Sequence, residues 1–209
     1  MRSRPRNFRL NRSSPLYRSA QFLGIGGGAG TLLMRDHSGY GRNGTLTGYS
    51  GAGDTPPERW TWDTTLNRWV LGFDGSNDYI SLGSSADFAP QSFTVSFWMK
   101  WAAAPATYDS PWGKTNGGTW SNGWGFWIYG TSGTQIRLNS FVYEGYGAAG
   151  AYAFFDPYSS WHHVALTHDG TTTLVYSDGV AGTPRVAARS PTGTTRSEEH
   201  TSELQSPNT

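Results

Sequence analysis

Apolar and polar residues alternate most clearly in Phe93-Thr94-Val95-Ser96-Phe97-Trp98-Met99-Lys100-Trp101, where Phe93, Val95, Phe97, Met99 and Trp101 fall on one face. A two-residue period of this kind predicts a half-buried strand. Shorter runs rich in aromatic or β-branched residues predict further strands at residues 70–73, 79–82, 124–129, 136–143, 161–167 and 172–177. Turn chemistry punctuates them. Asp169-Gly170 lies between two of the runs, Asp178-Gly179 turns the chain again, and Asp74-Gly75-Ser76-Asn77 separates another pair. No segment offers a helical pattern of ten residues or more. Short strands with regular turns predict an all-β fold, an antiparallel β-sandwich or barrel.

Composition sharpens this picture. The 28 Gly and 11 Pro weigh against long helices, in whose interiors they cost about 1 and 3 kcal/mol. With 10 Trp, 11 Tyr and 10 Phe, the core is expected to be aromatic rather than aliphatic. The absence of Cys excludes a disulfide framework, thiolate-bound zinc and a cysteine nucleophile. No apolar run approaches the length of about 18 residues that a membrane-spanning helix needs, so no membrane insertion is expected.

The net charge of +1 conceals a division. Residues 1–22 carry six Arg and no acid, residues 23–195 nine basic and twelve acidic groups, and residues 196–209 one Arg and three Glu. The first segment reads as a disordered basic leader, in preference to a nucleic-acid arm. It is not followed by the apolar core of a signal peptide, because Gly24-Ile25-Gly26-Gly27-Gly28-Ala29-Gly30 interrupts the nearest candidate. The last segment has no apolar face. Its run Arg196-Ser197-Glu198-Glu199-His200-Thr201-Ser202-Glu203-Leu204-Gln205-Ser206 resembles a translated short-read sequencing adapter, so residues 196–209 read as a non-native, disordered tail.

Five motifs in order carry a resemblance. They are Asp36-His37-Ser38-Gly39-Tyr40-Gly41-Arg42-Asn43-Gly44-Thr45-Leu46, Leu71-Gly72-Phe73-Asp74-Gly75-Ser76-Asn77-Asp78-Tyr79-Ile80, Phe93 to Lys100, Trp161-His162-His163-Val164-Ala165-Leu166-Thr167-His168-Asp169-Gly170, and Tyr176-Ser177-Asp178-Gly179-Val180. Together they resemble the laminin G-like (LamG) jelly rolls of the concanavalin A-like lectin/glucanase superfamily. The resemblance implies two curved antiparallel sheets face to face over residues 23–195. It also implies a role in binding carbohydrate or protein at surfaces, or as an accessory module, rather than in catalysis. The family pattern runs on past the fifth motif, so the domain is expected to lack its last strand or two and to leave a sheet edge unpaired. Where the family has Tyr before the Asp-Gly turn, this chain has His168, which reads as a surface substitution at a hairpin end.

Glucanases of the superfamily carry Glu-x-Asp-x-x-Glu on one strand, whereas the Glu of residues 23–195 are Glu58 and Glu144, and neither has that spacing. No enzyme activity of this type is therefore expected. On one strand His162 and His168 share a face and His163 opposes them, which favours packing over a zinc site. The run from Gly24 to Ala29 fits a dinucleotide fingerprint but has no helix after it, and reads as a flexible turn. Asp74 and Asp78 bracket a turn and are candidate calcium ligands, against the plainer role of shaping that turn. Trp112, Trp120, Trp124 and Trp127 lie among glycines and are the candidate glycan-binding residues. Trp112 or Trp120 is expected to be exposed, with Trp124 and Trp127 mostly buried.

The sequence thus predicts a non-catalytic module that recognises carbohydrate or a cell-surface partner. It would belong to a larger extracellular, cell-surface or virion protein of bacterial or phage origin. The alternatives are a structural spacer or decoration domain of a virion, and an accessory fragment of a secreted glycosidase.

Overall fold

The computed structural model describes residues 24–25, 33–48, 60–73, 77–83, 88–114, 123–143 and 150–189. Fifteen strands lie within them: β1 (Gly24–Ile25), β2 (Leu33–Asp36), β3 (Gly44–Thr47), β4 (Trp60–Asp63), β5 (Arg68–Leu71), β6 (Tyr79–Ser81), β7 (Phe93–Met99), β8 (Gly113–Lys114), β9 (Trp124–Ser132), β10 (Gln135–Val142), β11 (Tyr152–Phe155), β12 (His162–His168), β13 (Thr172–Ser177), β14 (Val180–Ala181) and β15 (Arg185–Val186). Every pairing between them is antiparallel.

Two of the sheets form a sandwich. One has the order β11-β10-β9-β8; the other has β14-β13-β12-β7, with β15 also on β13. The alternation that predicts the strands also builds the core. Phe126 and Ile128 of β9, Ile136 and Leu138 of β10 and Phe155 of β11 meet Val164 and Leu166 of β12 and Val175 of β13, all buried, with the β7 residues Phe93, Val95, Phe97 and Met99 packed against them. Aromatic pairs cross between the sheets: Phe97 meets Phe126 edge-on at 5.5 Å, and Phe93 lies 5.3 Å from Trp124. A smaller cluster, Leu46, Trp60 and Ile80, sits among β3, β4 and β6. The β4–β5 hairpin reaches the sandwich through Asp63, whose Oδ2 accepts from Trp161 Nε1 at 2.7 Å and lies 3.8 Å from Lys100 Nζ.

Sequence motifs acquire physical reasons here. The Asp36 carboxylate accepts from the amides of Ser38 and Arg42 and from Ser38 Oγ, so it ties the loop between β2 and β3. Asp178 and Gly179 both have positive φ, 51° and 84°, which is the primed turn that joins β13 to β14. The segment after this turn does not leave the β13 edge bare. β14 pairs with one end of β13 and β15 with the other. Between them Thr183 crosses to the opposite sheet and pairs with Tyr152. Gly24 and Ile25, expected in a flexible turn, pair with Asp36 and Arg35 instead.

His168 corrects another expectation. It is 2% exposed, not on the surface. It shares strand parity with the buried Val164 and Leu166, so it faces the core, where its ring packs on Phe93 and its Nδ1 lies 2.9 Å from Thr173 Oγ1. His162 shares that face; its Nδ1 is 2.7 Å from Asp178 Oδ2 and its Nε2 2.8 Å from the Pro157 carbonyl. Asp178 also accepts from the His163 amide.

This pairing has a consequence for acid stability. Burial alone would raise the Asp178 carboxyl, but the His162 and His163 hydrogen bonds and the histidine charges outweigh it and hold it below its ordinary value of 3.8. A lowered folded pKa gives a contribution that is fully present above 3.8 and is lost as the pH falls through the folded value. The Asp178→Asn variant, less stable at pH 6, is therefore expected to lose less stability than the parent between pH 6 and pH 3 in urea titrations. Parallel losses would show that the pair does not link folding to protonation.

Candidate functional site

The face of the β11-β10-β9-β8 sheet that points away from the core is aromatic. Its geometry starts from an irregular register between β9 and β10. Ile128 pairs with Leu138 and Gly130 pairs with Arg137, which leaves Tyr129 as an extra residue in a bulge. Ile128 faces the core, while Trp127 and Tyr129 turn outward, with ring centroids 5.5 Å apart. On β10 the outward residues are Arg137 and Asn139. On β11 they are Tyr152, opposite Asn139, and Phe154, opposite Arg137.

A loop completes the row. Tyr108 N donates to Ile128 O, and Ile128 N donates to Asp109 O, so residues 108–109 run along β9 beyond the end of β8. Tyr108 has a φ of +77°, a left-handed conformation that a bulky side chain rarely adopts. The flanking hydrogen bonds hold it there, and its ring stacks on Trp127 at 5.5 Å with 17° between the planes. The Asp109 carboxylate is buried and accepts from the Ala106 amide; burial raises its pKa, and that hydrogen bond only partly opposes the rise.

The row thus runs Tyr108, Trp127, Tyr129, Arg137, Tyr152, Phe154. The Arg137 guanidinium lies 4.3 Å from the Tyr129 centroid and 3.7 Å from that of Tyr152, and Tyr152 meets Phe154 edge-on at 5.7 Å. Tyr108, Tyr129 and Phe154 are each about half exposed, at 49%, 53% and 50%. Scattered exposed aromatics need no explanation, but a contiguous patch of them marks an interaction surface. On the outer face of the other sheet, among the described residues, Trp98, also exposed, pairs with His163 at 5.4 Å and no longer row is formed.

The tryptophans singled out from the sequence divide. Trp124 and Trp127 are both 5% exposed, as expected, but for opposite reasons. Trp124 faces the core and donates from Nε1 to Phe88 O, whereas Trp127 is on the outer face and is covered by its aromatic neighbours. Trp112 is half-buried and packs on Phe97 at 5.3 Å, against the main core. Trp120 lies outside the described residues. So does Asp74; Asp78 is buried at 2%, and among the described residues no three His, Asp or Glu side chains cluster as metal ligands. The residues missed from the sequence are Tyr108, Tyr129, Arg137, Tyr152 and Phe154.

Comparisons with known proteins agree with this architecture. A laminin G model described as concanavalin A-like lectin/glucanases superfamily matches residues 74–199. A search of curated proteins found no match. Among solved structures, one similar to this chain is domain 4 of AbnA, a GH43 extracellular arabinanase from Geobacillus stearothermophilus, determined in complex with arabinotriose. The two share 18% identity with a TM-score of 0.51, over 80% of this chain and 81% of that one. With the family match covering more than half of its length, and with its antiparallel sandwich, the chain belongs to the concanavalin A-like lectin/glucanases superfamily.

Proposed function

We propose that this domain is a non-catalytic carbohydrate-binding module and that the row from Tyr108 to Phe154 is its binding face. The observation that carries the reading is a contiguous row of outward aromatic rings, with Tyr108, Tyr129 and Phe154 exposed along it and Trp127 and Tyr152 packed between them. Sugar rings present apolar C–H faces, and aromatic side chains on rigid strands receive them without having to be ordered first. The related arabinanase domain, whose structure holds arabinotriose, supports carbohydrate as the ligand class and an extracellular setting. No helix among the described residues is long and apolar enough to cross a membrane.

Truncating both exposed rings in the Tyr129→Ala, Phe154→Ala double variant should weaken binding to any retained polysaccharide by about 5–150-fold, at roughly 0.5–1.5 kcal/mol per ring. Affinity gel electrophoresis across a panel of soluble plant and bacterial polysaccharides measures this. Trp98→Ala, on the opposite sheet, is the control and should bind as the parent does. Equal retention of the double variant would remove this face as the binding site, and retention of nothing by the parent would favour a spacer role.

A further inference from the structure

The platform has a charge at its centre, and that charge narrows the ligand. We propose that it selects acidic saccharides, with Arg137 gripping the carboxylate of a uronic acid; this rests on the glycan-binding reading above. Three features of Arg137 support it. Its guanidinium lies between two rings, Tyr129 at 4.3 Å and Tyr152 at 3.7 Å, which stabilise the cation and exclude water from its faces. Its Nε donates to Asn139 Oδ1 at 2.9 Å, and Asn139 is buried at 1% between Trp127 and Tyr152, so the plane of the guanidinium is fixed. It makes no ion pair among the described residues, whose ion pairs with Asp63 and Asp178 go to Lys100 and His162.

A guanidinium has five N–H donors, and one is spent on Asn139. The four on the two terminal nitrogens remain, in the fork that matches a carboxylate bidentately. A cation held rigid, partly dehydrated and without a counterion is a built anion site. It lies within the row of rings that would carry the sugar, so an anion bound there must be part of a molecule that also presents apolar ring faces. Residues 23–195 hold nine basic and twelve acidic groups, so bulk attraction is not the source of the preference. Selectivity must come from this one side chain.

The test uses the full chain and calorimetric titration. The probes are trisaccharides of galacturonic, glucuronic and mannuronic acid, each paired with its carboxyl-reduced neutral counterpart. At least one acid is expected to bind about tenfold more tightly than its reduced form. Arg137→Met should erase that difference by lowering the affinity for the acid about tenfold more than that for its reduced form, and Arg137→Lys should keep part of the preference because it retains the charge without the fork. Near-UV circular dichroism checks that each variant is folded; should Arg137→Met fail to fold, Arg137→Lys and Arg137→Gln carry the comparison. Equal affinities for acid and reduced forms, or an equal loss of both in Arg137→Met, would overturn the acidic preference. If neutral sugars bind and Tyr129→Ala, Phe154→Ala weakens them, the platform stands without it. If no sugar binds, both readings fall.

Discussion

Replacing Phe126 by alanine is expected to lower the unfolding free energy by about 3–5 kcal/mol, a loss of roughly 10 °C in melting temperature for a domain of this size. Phe126 is fully buried on β9, and its ring meets Phe97 of the opposite sheet edge-on at 5.5 Å. Its amide donates to Trp112 O at 2.9 Å, so the backbone is held on both sides and cannot move inward to fill the void. The cost is therefore the lost transfer of a large ring from water together with most of a cavity. Phe154→Ala, which removes a ring of the same size from the other face of the same sheet, should cost well under half as much because Phe154 is half exposed. Urea unfolding of the two variants under one set of conditions separates these outcomes. A Phe126→Ala loss below about 1 kcal/mol would mean that the two sheets do not share a core.

Gly182→Ala is expected to be nearly as damaging, at about 2–4 kcal/mol, although it adds one methyl group. A Cβ at position 182 would lie 2.0 Å from Tyr152 O and 2.9 Å from the Cα of Ala153. Backbone has to give way, and the backbone in question is the junction between the sheets. Gly182 N donates to Val175 O in one sheet, while Thr183 exchanges hydrogen bonds of 2.8 and 3.1 Å with Tyr152 in the other. The substitution should also weaken carbohydrate binding, because Tyr152 is one of the two rings on Arg137. Gly130→Ala is the stability control, since a Cβ there meets nothing within 4 Å. Thermal melts and affinity gels of the pair test both effects; a Gly182→Ala melt that overlays that of Gly130→Ala would show that the two sheets are not locked together at this point.

What the sequence made legible follows strand length and parity. β7, β9, β10, β12 and β13 are six to nine residues long, enough for a period to declare itself. β8, β14 and β15 have two residues each, and no period exists in two residues; only pairing with a neighbour makes them strands. His168 has the parity of Val164 and Leu166, and its burial follows that alternation against the surface expectation that its place beside a turn suggests.

The outer aromatic face was harder to read. Trp112, Trp120, Trp124 and Trp127 drew attention as tryptophans among glycines, but residue type does not say which face a strand residue occupies. Parity does place Trp127 and Tyr129 opposite Phe126 and Ile128. The bulge that sets Tyr129 beside Arg137 depends on the register between β9 and β10, which a single strand cannot show. Tyr108 and Tyr152 come to the row through a strained loop residue and a short strand, and no local pattern links either to Arg137.

The alternation along β9 and β10 also bears on how such a domain can change over evolutionary time. Phe126, Ile128, Ile136 and Leu138 answer to the core, while Trp127, Tyr129, Arg137 and Asn139 answer to whatever lies outside. Two sets of requirements are interleaved residue by residue along one stretch of chain, and selection can revise one set while leaving the other intact. A lineage can therefore exchange ligands by substitution at every second position without passing through an unfolded ancestor. Kinship is then expected to persist in the inward half of each strand, while the outward half follows the ligand.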